Sequence, residues 1–521
     1  MNRNVSVPAA NPEPAQRTCF VRFFFVALFL RGVRKLPKDC LIFIESLENA
    51  DKIHAMQYEF KDKNITVMGL GLFGGGVGVA QFLAKQGARV TVTDLRNATE
   101  LSSSIKQLEG LPISYKLGGH SEEDFINRDM VVVNPAVPKN SKFIEIARNN
   151  RVQVDTEINI FFKLCPAPII GITGSNGKST TTALTGNILQ ETSRRTWVGG
   201  NIGKSLLSDL EEIKPSDIVV LELSSFQLEE FNSTKKSPHI SIVTNISPNH
   251  LDRYADMDEY IQAKKNIILH QDSGDYAILN YDDPELKRWK NDCKGHILWY
   301  SAKQTMTDGA FVKGNDIVVS LNGQSMVIPC VSRIKIPGIH NLQNVLAASC
   351  AAYLAGAREE HIEKAITAFT GLEHRLEFVR EVNGVRYYND SKATTPESSI
   401  AAITAFQAQV ILIAGGYDKG SSFEEFAETC ARNTKAVVLI GKTAGKIQEL
   451  ILEKKVKKAT PLIYTQKTLE EAFRQANTMA KSGDVVLLSP ACASYDMFLN
   501  YEERGRKFKD MVQAIRASSG L

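Results

Sequence analysis

Short apolar runs punctuate the chain, and most are followed by a turn and then by residues with helical spacing. A first group comprises Ile65-Thr-Val-Met68, Ala88-Arg-Val-Thr-Val-Thr-Asp94, Met130-Val-Val-Val133 and Val152-Gln-Val154. A second begins at Ala167-Pro-Ile-Ile170 and continues through Ile218-Val-Val-Leu-Glu222, Ile240-Ser-Ile-Val-Thr-Asn245 and Tyr276-Ala-Ile-Leu-Asn280, with a β-rich patch near 310–336. A third contains Val410-Ile-Leu-Ile-Ala414, Ala436-Val-Val-Leu-Ile440 and Asp484-Val-Val-Leu-Leu488. Strands alternating with helices imply an α/β fold with parallel sheets throughout. Helices are expected from Val79 to Gln86 and from Asn344 to Tyr353, where apolar residues and alanines dominate.

These groups divide the chain into domains at 61–166, 167–371 and 372–521, in keeping with about 150 residues per domain. Residues 1–60 read as an N-terminal extension that is not part of the folded core. Its apolar stretch, Phe23 to Leu30, has eight residues, whereas a membrane span needs about 20. Arg31-Gly-Val-Arg-Lys35 follows, without the small-residue cleavage site of a secretory signal. Met56 leads directly into the first strand. The folded protein is therefore expected to start near it, with no stable membrane insertion.

The formal charge of +4 is small for 521 residues and does not point to nucleic acid as a partner. Eight cysteines without a C-x-x-C pair argue against a disulfide framework or a zinc site, and fit a reducing compartment such as the cytoplasm.

The most informative segment is Gly171-Ile-Thr-Gly174-Ser175-Asn176-Gly177-Lys178-Ser179-Thr180, directly after an apolar strand. The general phosphate-loop pattern places glycine where Ile172 stands, so the pattern here is Gly-x-x-Gly-x-x-Gly-Lys-Ser-Thr. Glycines let backbone amides converge on anionic oxygens, and the following helix adds its dipole. Lys178 can reach the outer phosphates, and Ser179 or Thr180 can hold Mg2+. The segment commits the chain to nucleoside triphosphate chemistry. In the first unit, Gly69, Gly71 and Gly74 form a G-x-G-x-x-G turn, with Asp94 20 residues beyond the last glycine. Alone, that fingerprint of a Rossmann-like unit holds any diphosphate. Glu222, Asn245, the Gly415-Gly-Tyr-Asp418-Lys419 turn and Ser489-Pro-Ala-Cys492 all follow strands. Ligands of open α/β sheets bind there, so the three units are expected to share a cleft.

Several segments, in order, resemble the Mur ligase family in its D-glutamate-adding branch. They are the phosphate loop, Glu222-Leu-Ser-Ser-Phe-Gln-Leu228, Thr244-Asn-Ile-Ser-Pro-Asn-His-Leu-Asp-Arg-Tyr254, Gly338-Ile-His-Asn341-Leu-Gln-Asn344, Glu373-His-Arg375, Asn389-Asp-Ser-Lys392-Ala-Thr-Thr-Pro396 and Ser489-Pro-Ala-Cys-Ala-Ser494-Tyr-Asp-Met-Phe498. The resemblance implies a Rossmann-like N-terminal UDP-binding domain, a central P-loop ATPase domain with a parallel sheet, and a C-terminal Rossmann-like α/β domain for the amino acid. It implies a cytoplasmic monomer acting on small molecules in peptidoglycan precursor synthesis. ATP would activate UDP-N-acetylmuramoyl-L-alanine as an acyl phosphate, and D-glutamate would displace phosphate.

By the same resemblance, Lys178 binds phosphate, while Ser179, Glu222, His250 and Lys264, if carbamylated, serve the metal. Lys265 is adjacent to Lys264 and competes for that assignment. Asn341 and Asn344 would face adenine, although an N-cap and an exposed amide would also explain them. Arg375, Asp390 and Asp418 would meet the nucleotide from the third domain. Lys392, Ser494 and Tyr501 would form the D-glutamate pocket, Tyr501 standing where the family commonly has phenylalanine. Gly71, Phe73, Asp94, Arg96 and Asn201 would contact the UDP substrate. The enlarged Gly74-Gly75-Gly76-Val-Gly78 turn departs from the family pattern.

Two other classes account for less of the chain. A nicotinamide-dependent oxidoreductase would use the first glycine turn but leaves the phosphate loop, Glu222, the His250 segment and the third unit unexplained. A non-catalytic relative would be expected to lose Lys178, Glu222 or His250, and all three are present. Within the ligase class, a sister Mur ligase or a folylpolyglutamate synthase-like enzyme would differ in amino-acid selectivity.

Overall fold

The computed structural model describes residues 60–515 apart from 73, 139, 202–204, 251–252, 419 and 455–460. The apolar stretch Phe23 to Leu30 therefore lies outside the described residues. Among those described, no helix is long and apolar enough to cross a membrane.

The strands fall into three sheets. The first holds β1 (Asn64–Met68), β2 (Arg89–Asp94), β3 (Ile113–Leu117), β4 (Met130–Val133) and β5 (Gln153–Asp155), in the order β3-β2-β1-β4-β5. All its pairings are parallel. The strand order reverses between β1 and β4, and a crevice opens beyond their carboxyl ends. The Gly69–Gly71 turn and Asn134 meet there, and the Asn134 side chain donates to the Gly69 carbonyl at 3.2 Å.

The second sheet contains β6 (Ile169–Thr173), β7 (Thr196–Gly200), β8 (Ile218–Glu222), β9 (Ile240–Val243), β10 (Tyr276–Asn280), β11 (His296–Ser301), β12 (Gly309–Lys313), β13 (Asp316–Leu321) and β14 (Gln324–Ile328). Its order is β14-β13-β12-β11-β10-β9-β6-β8-β7. β6, which feeds the phosphate loop, pairs in parallel with β8 and β9. The helices Lys178–Gln190 and Ile339–Leu354 cover this sheet. Ile170, Ile172, Leu184, Ile188, Val345 and Leu346 belong to their common buried core.

The third sheet contains β15 (Glu377–Val382), β16 (Val385–Asn389), β17 (Val410–Ala414), β18 (Thr434–Leu439), β19 (Leu462–Thr465) and β20 (Val485–Leu488), in the order β15-β16-β20-β17-β18-β19. Its two faces carry separate buried clusters.

The expectation of parallel sheets throughout needs correction. β12, β13 and β14 form an antiparallel meander, and β15 pairs antiparallel with β16. Asn322-Gly323 joins β13 to β14 with φ of 52° and 77°, and Asn383-Gly384 joins β15 to β16 with 52° and 74°. Two consecutive positive φ values make a type I′ turn, whose twist matches a two-residue hairpin. Helix Ile339–Leu354 also starts earlier than the expected Asn344, with Gly338 as its N-cap. Its polar first turns belong to the helix because they face a cavity rather than the core.

Candidate active site

The phosphate loop is held by its neighbours before any ligand is considered. The Ser175 amide donates to the Asn245 carbonyl at 2.8 Å, and the Asn176 amide to Asn245 Oδ1 at 2.9 Å. Asn245 Nδ2 donates back to the Asn176 carbonyl at 3.0 Å. Ser175 Oγ lies 3.0 Å from the Tyr260 hydroxyl and donates to the Ser247 carbonyl at 2.9 Å. Gly177 caps the helix with φ of 84°. A Cβ there would stand 2.4 Å from Asn344 Oδ1, so only glycine fits. The first amides of the helix, from Lys178 on, have no intrahelical partner and would present the positive end of the helix to a bound anion.

Behind the loop lie two lysines and a carboxylate. Lys178 Nζ donates to the carbonyls of Gly174 at 2.9 Å and Ser175 at 2.8 Å. Burial, with Arg375 and Lys392 adding to it, lowers its pKa to about 8 against an opposing pull from Glu222. Lys264, 1% exposed, donates to the Gly174 carbonyl at 2.8 Å. Burial and the Lys178 charge push its pKa well down. Lys265 points elsewhere and pairs with Asp292 at 2.7 Å. Glu222 is buried; its Oε1 accepts from Asn201 Nδ2 at 2.9 Å, while Oε2 is buried without a hydrogen-bond partner. An unsatisfied buried carboxylate oxygen suits a hard divalent cation. Ser179 is buried too, and Arg375 Nη2 reaches its Oγ at 3.4 Å. His250 is exposed, its ring centroid 4.9 Å from that of Phe226. Among the described residues, no three His, Cys, Asp or Glu side chains are grouped as a metal site. Glu222 and Ser179 fit Mg2+ on the chemistry of their donors, but His250 is not drawn into a carboxylate cluster with them.

In front of the loop is a cavity of about 530 Å³. Asn176, Gly177 and Thr180 line it from the loop, His340, Asn341 and Asn344 from the helix, and Arg375, Asp390 and Lys392 from the third-sheet side. Asn344 Nδ2 donates to Asn341 Oδ1 at 3.2 Å, and its Oδ1 accepts from Thr181 at 3.2 Å. Neither is an N-cap, which disposes of the capping explanation. Burial raises the Asp390 pKa to about 7, although Ser489 Oγ donates to it at 2.8 Å and the Leu376 amide at 3.0 Å. The Lys392 ammonium stands 5.5 Å from the Tyr501 ring centroid.

Other expected residues sit apart from this cavity. Asp418 pairs with Lys446 at 2.8 Å and is not among the lining residues. Ser494 is buried, and its carbonyl accepts the amides of Met497 and Phe498. In the first sheet, the Gly71 amide donates to Asp94 Oδ2 at 3.1 Å and the Arg96 amide to Asp94 Oδ1 at 2.9 Å. Asp94 thus spends its carboxylate on the turn itself. Phe73 and Lys419 lie outside the described residues. Asn201 was expected at the UDP substrate, but its side chain is engaged with Glu222.

Arg504 escaped the sequence reading. It is 1% exposed and donates to Ser391 Oγ at 3.0 Å, the Ser391 carbonyl at 2.9 Å and the Cys492 carbonyl at 3.2 Å. It therefore ties the loop carrying Lys392 to the loop carrying Ser494. In sequence it is one charge among several in a polar helix. Cys492 beside it is packed and inert, burial raising its thiol to about 11.

A phosphate loop, a buried carboxylate behind it and a cavity closed by a third α/β unit define a nucleotide-phosphate site. Comparison with known proteins specifies the class. Three family models match in chain order: Mur ligase MurD-like, N-terminal domain over residues 63–155, Mur ligase middle domain over 172–352, and Mur ligase, glutamate ligase domain over 374–492. UDP-N-acetylmuramoylalanine–D-glutamate ligase of Acetivibrio thermocellus is 41% identical over 470 residues, 89% of this chain and 99% of that one. The enzyme of the same name from Roseiflexus sp. (strain RS-1) is 43% identical over 462 residues, 87% of this chain and 99% of that one. Among solved structures, UDP-N-acetylmuramate-alanine ligase MurC from Thermotoga maritima aligns with a TM-score of 0.56 at 21% identity, covering 87% of this chain and 99% of that one, a likeness of fold. The chain belongs to the Mur ligase family.

Proposed function

We propose that this chain is an ATP-dependent amide ligase that adds D-glutamate to UDP-N-acetylmuramoyl-L-alanine in peptidoglycan precursor synthesis. The observation that carries this reading is one cavity lined by the phosphate loop, by Asn341 and Asn344, and by the third-sheet residues Arg375, Asp390 and Lys392. The agreement of the relatives, all D-glutamate ligases by name at about 41% identity, supports the choice of amino acid.

A carboxylate and an amine do not condense spontaneously in water. In this reading, an oxygen of the L-alanine carboxylate attacks the γ-phosphorus of ATP, ADP leaves, and an acyl phosphate remains. The D-glutamate amine then attacks the acyl carbon, loses a proton, and expels phosphate with the oxygen it gained. Catalysis rests on placement and on charge stabilisation around the phosphoryl group. Lys178 and the amides after Gly177 hold the outer phosphates, and Arg375 reaches the same region through Ser179. Asn341, Asn344, Asp390 and Asp418 belong to the nucleotide side, Gly71, Phe73, Asp94 and Arg96 to the UDP side, and Lys392, Ser494 and Tyr501 to the D-glutamate pocket. Ser179 and Glu222 would hold Mg2+, with His250 and a carbamylated Lys264 completing the set. The ion would neutralise charge on the phosphates. Lys264 is suited to carbamylation because burial pushes its pKa well down, which favours the neutral amine that adds CO2 with loss of a proton. The enzyme would work as a cytoplasmic monomer.

The test is ADP release from the purified chain with ATP, Mg2+ and UDP-N-acetylmuramoyl-L-alanine, comparing D-glutamate with L-glutamate, L-lysine and no amino acid. Release that requires D-glutamate is expected. Release with a different amino acid would reassign the chain to a sister ligase.

A further inference from the structure

Arg253 links the strand-end turn of the first sheet to the His250 segment. Its Nη1 donates to the Pro135 carbonyl at 3.0 Å. Pro135 follows Asn134, whose side chain holds the Gly69 carbonyl and whose Cβ would lie 2.9 Å from a Cβ on Gly69. This end of Arg253 therefore reaches the glycine turn of the first sheet through Pro135 and Asn134. The other face of the guanidinium lies flat on Phe226, Cζ 3.9 Å from the ring centroid. Phe226 packs in turn against the His250 imidazole at 4.9 Å. The Arg253 amide also donates to the His250 carbonyl at 3.0 Å, where His250 takes a left-handed φ of 57°.

We propose that Arg253 is a positioning residue that couples the UDP-binding turn of the first sheet to His250, so that the turn and the histidine are set in one register. The inference rests on the ligase reading and deepens it. A guanidinium is needed because one planar group must donate to a carbonyl at its edge and stack on a ring with its face. Lysine could keep the first contact, but its compact ammonium cannot also stack over the ring while it does so. The two halves of the coupling are therefore separable by mutation.

Arg253→Ala should raise the KM for UDP-N-acetylmuramoyl-L-alanine several-fold and lower kcat by about tenfold or more, the size of effect that small misplacement of a reacting group produces. Arg253→Lys should recover most of that KM but not the kcat. Phe226→Leu should reproduce the kcat loss with the KM intact. The KM for ATP should stay within about twofold in all three, since the phosphate loop is untouched. Affinity for the UDP substrate, measured by calorimetry without ATP or metal, should fall in Arg253→Ala, and the loss should not add to that of Asn134→Ala. Full recovery of kcat by Arg253→Lys, an ATP KM that rises in step, or strictly additive losses with Asn134→Ala would overturn the coupling. Absence of D-glutamate-dependent turnover in the unmutated chain would instead overturn the ligase reading, and the calorimetric cycle would still decide the role of Arg253.

Discussion

Lys178 and Lys264 donate to the same atom, the Gly174 carbonyl oxygen, at 2.9 and 2.8 Å. Two ammonium groups sharing one buried acceptor would repel strongly. Burial and the neighbouring Lys178 charge push the Lys264 pKa well down, which eases that repulsion, while burial lowers the Lys178 pKa to about 8. The sign of the resulting pH dependence follows. The Lys178 charge is present below about 8 and lost above it, so ATP affinity of the unmutated chain should weaken as pH rises through that value. The fall should approach about tenfold per pH unit at most. Lys178→Arg, charged throughout, should show a flatter profile by isothermal titration. A wild-type affinity independent of pH between about 7 and 9 would remove Lys178 from the phosphate site.

Lys264 and Lys265 offer a direct contrast. Lys264→Ala should abolish ligation to below about one per cent, as removal of a preorganised charge-stabilising group does. Lys265→Ala loses a partly exposed pair with Asp292 and a contact with the Trp289 ring, and should keep activity within about twofold. Steady-state rates of the two variants in bicarbonate-containing buffer make the comparison, and equal losses would refute the distinction.

Asn201 donates to one oxygen of Glu222, and in the proposed reading the other oxygen is left for a cation. Asn201→Ala should therefore raise the Mg2+ concentration for half-maximal rate several-fold, as loss of a partner that orients a ligand does. The KM for the UDP substrate should change less. A larger effect on that KM would return Asn201 to the UDP site.

Arg504→Lys should raise the KM for D-glutamate and destabilise the fold by about 2 kcal/mol, because lysine cannot serve the four oxygens that Arg504 serves. Denaturant melts and amino-acid titrations test both. An unchanged KM with lowered stability would make Arg504 purely structural.

The parallel strands were readable because they are buried on both faces and so apolar throughout; Ile218–Glu222 and Tyr276–Asn280 have the expected bounds. β7, with Trp197 half-exposed at the sheet edge and two glycines, carried no such signal. The antiparallel hairpins were announced by Asn322-Gly323 and Asn383-Gly384, a turn signal the strand-helix alternation obscured. Helical phase could also have chosen Lys264 over Lys265, since Tyr260, Ala263, Lys264 and Ile267 share the buried face of helix Met257–Leu269. The phosphate loop was legible because its chemistry is local. The hydrogen bond from Asn201 to Glu222, the aromatic seat of His250 and the grip of Arg504 are contacts across 21, 24 and 113 residues respectively. Such contacts depend on tertiary register, which no local pattern encodes.

On the proposed route, ATP phosphorylates the substrate carboxylate, and one carboxylate oxygen passes to phosphate. This route is tested most directly by preparing UDP-N-acetylmuramoyl-L-alanine with oxygen-18 in the alanine carboxylate. The labelled substrate is turned over with ATP and D-glutamate, and the released phosphate is analysed by mass spectrometry. The account predicts one oxygen-18 atom transferred to each phosphate, since the attacking carboxylate oxygen leaves with the phosphoryl group. Phosphate free of label, released at the same rate as amide product, would contradict it.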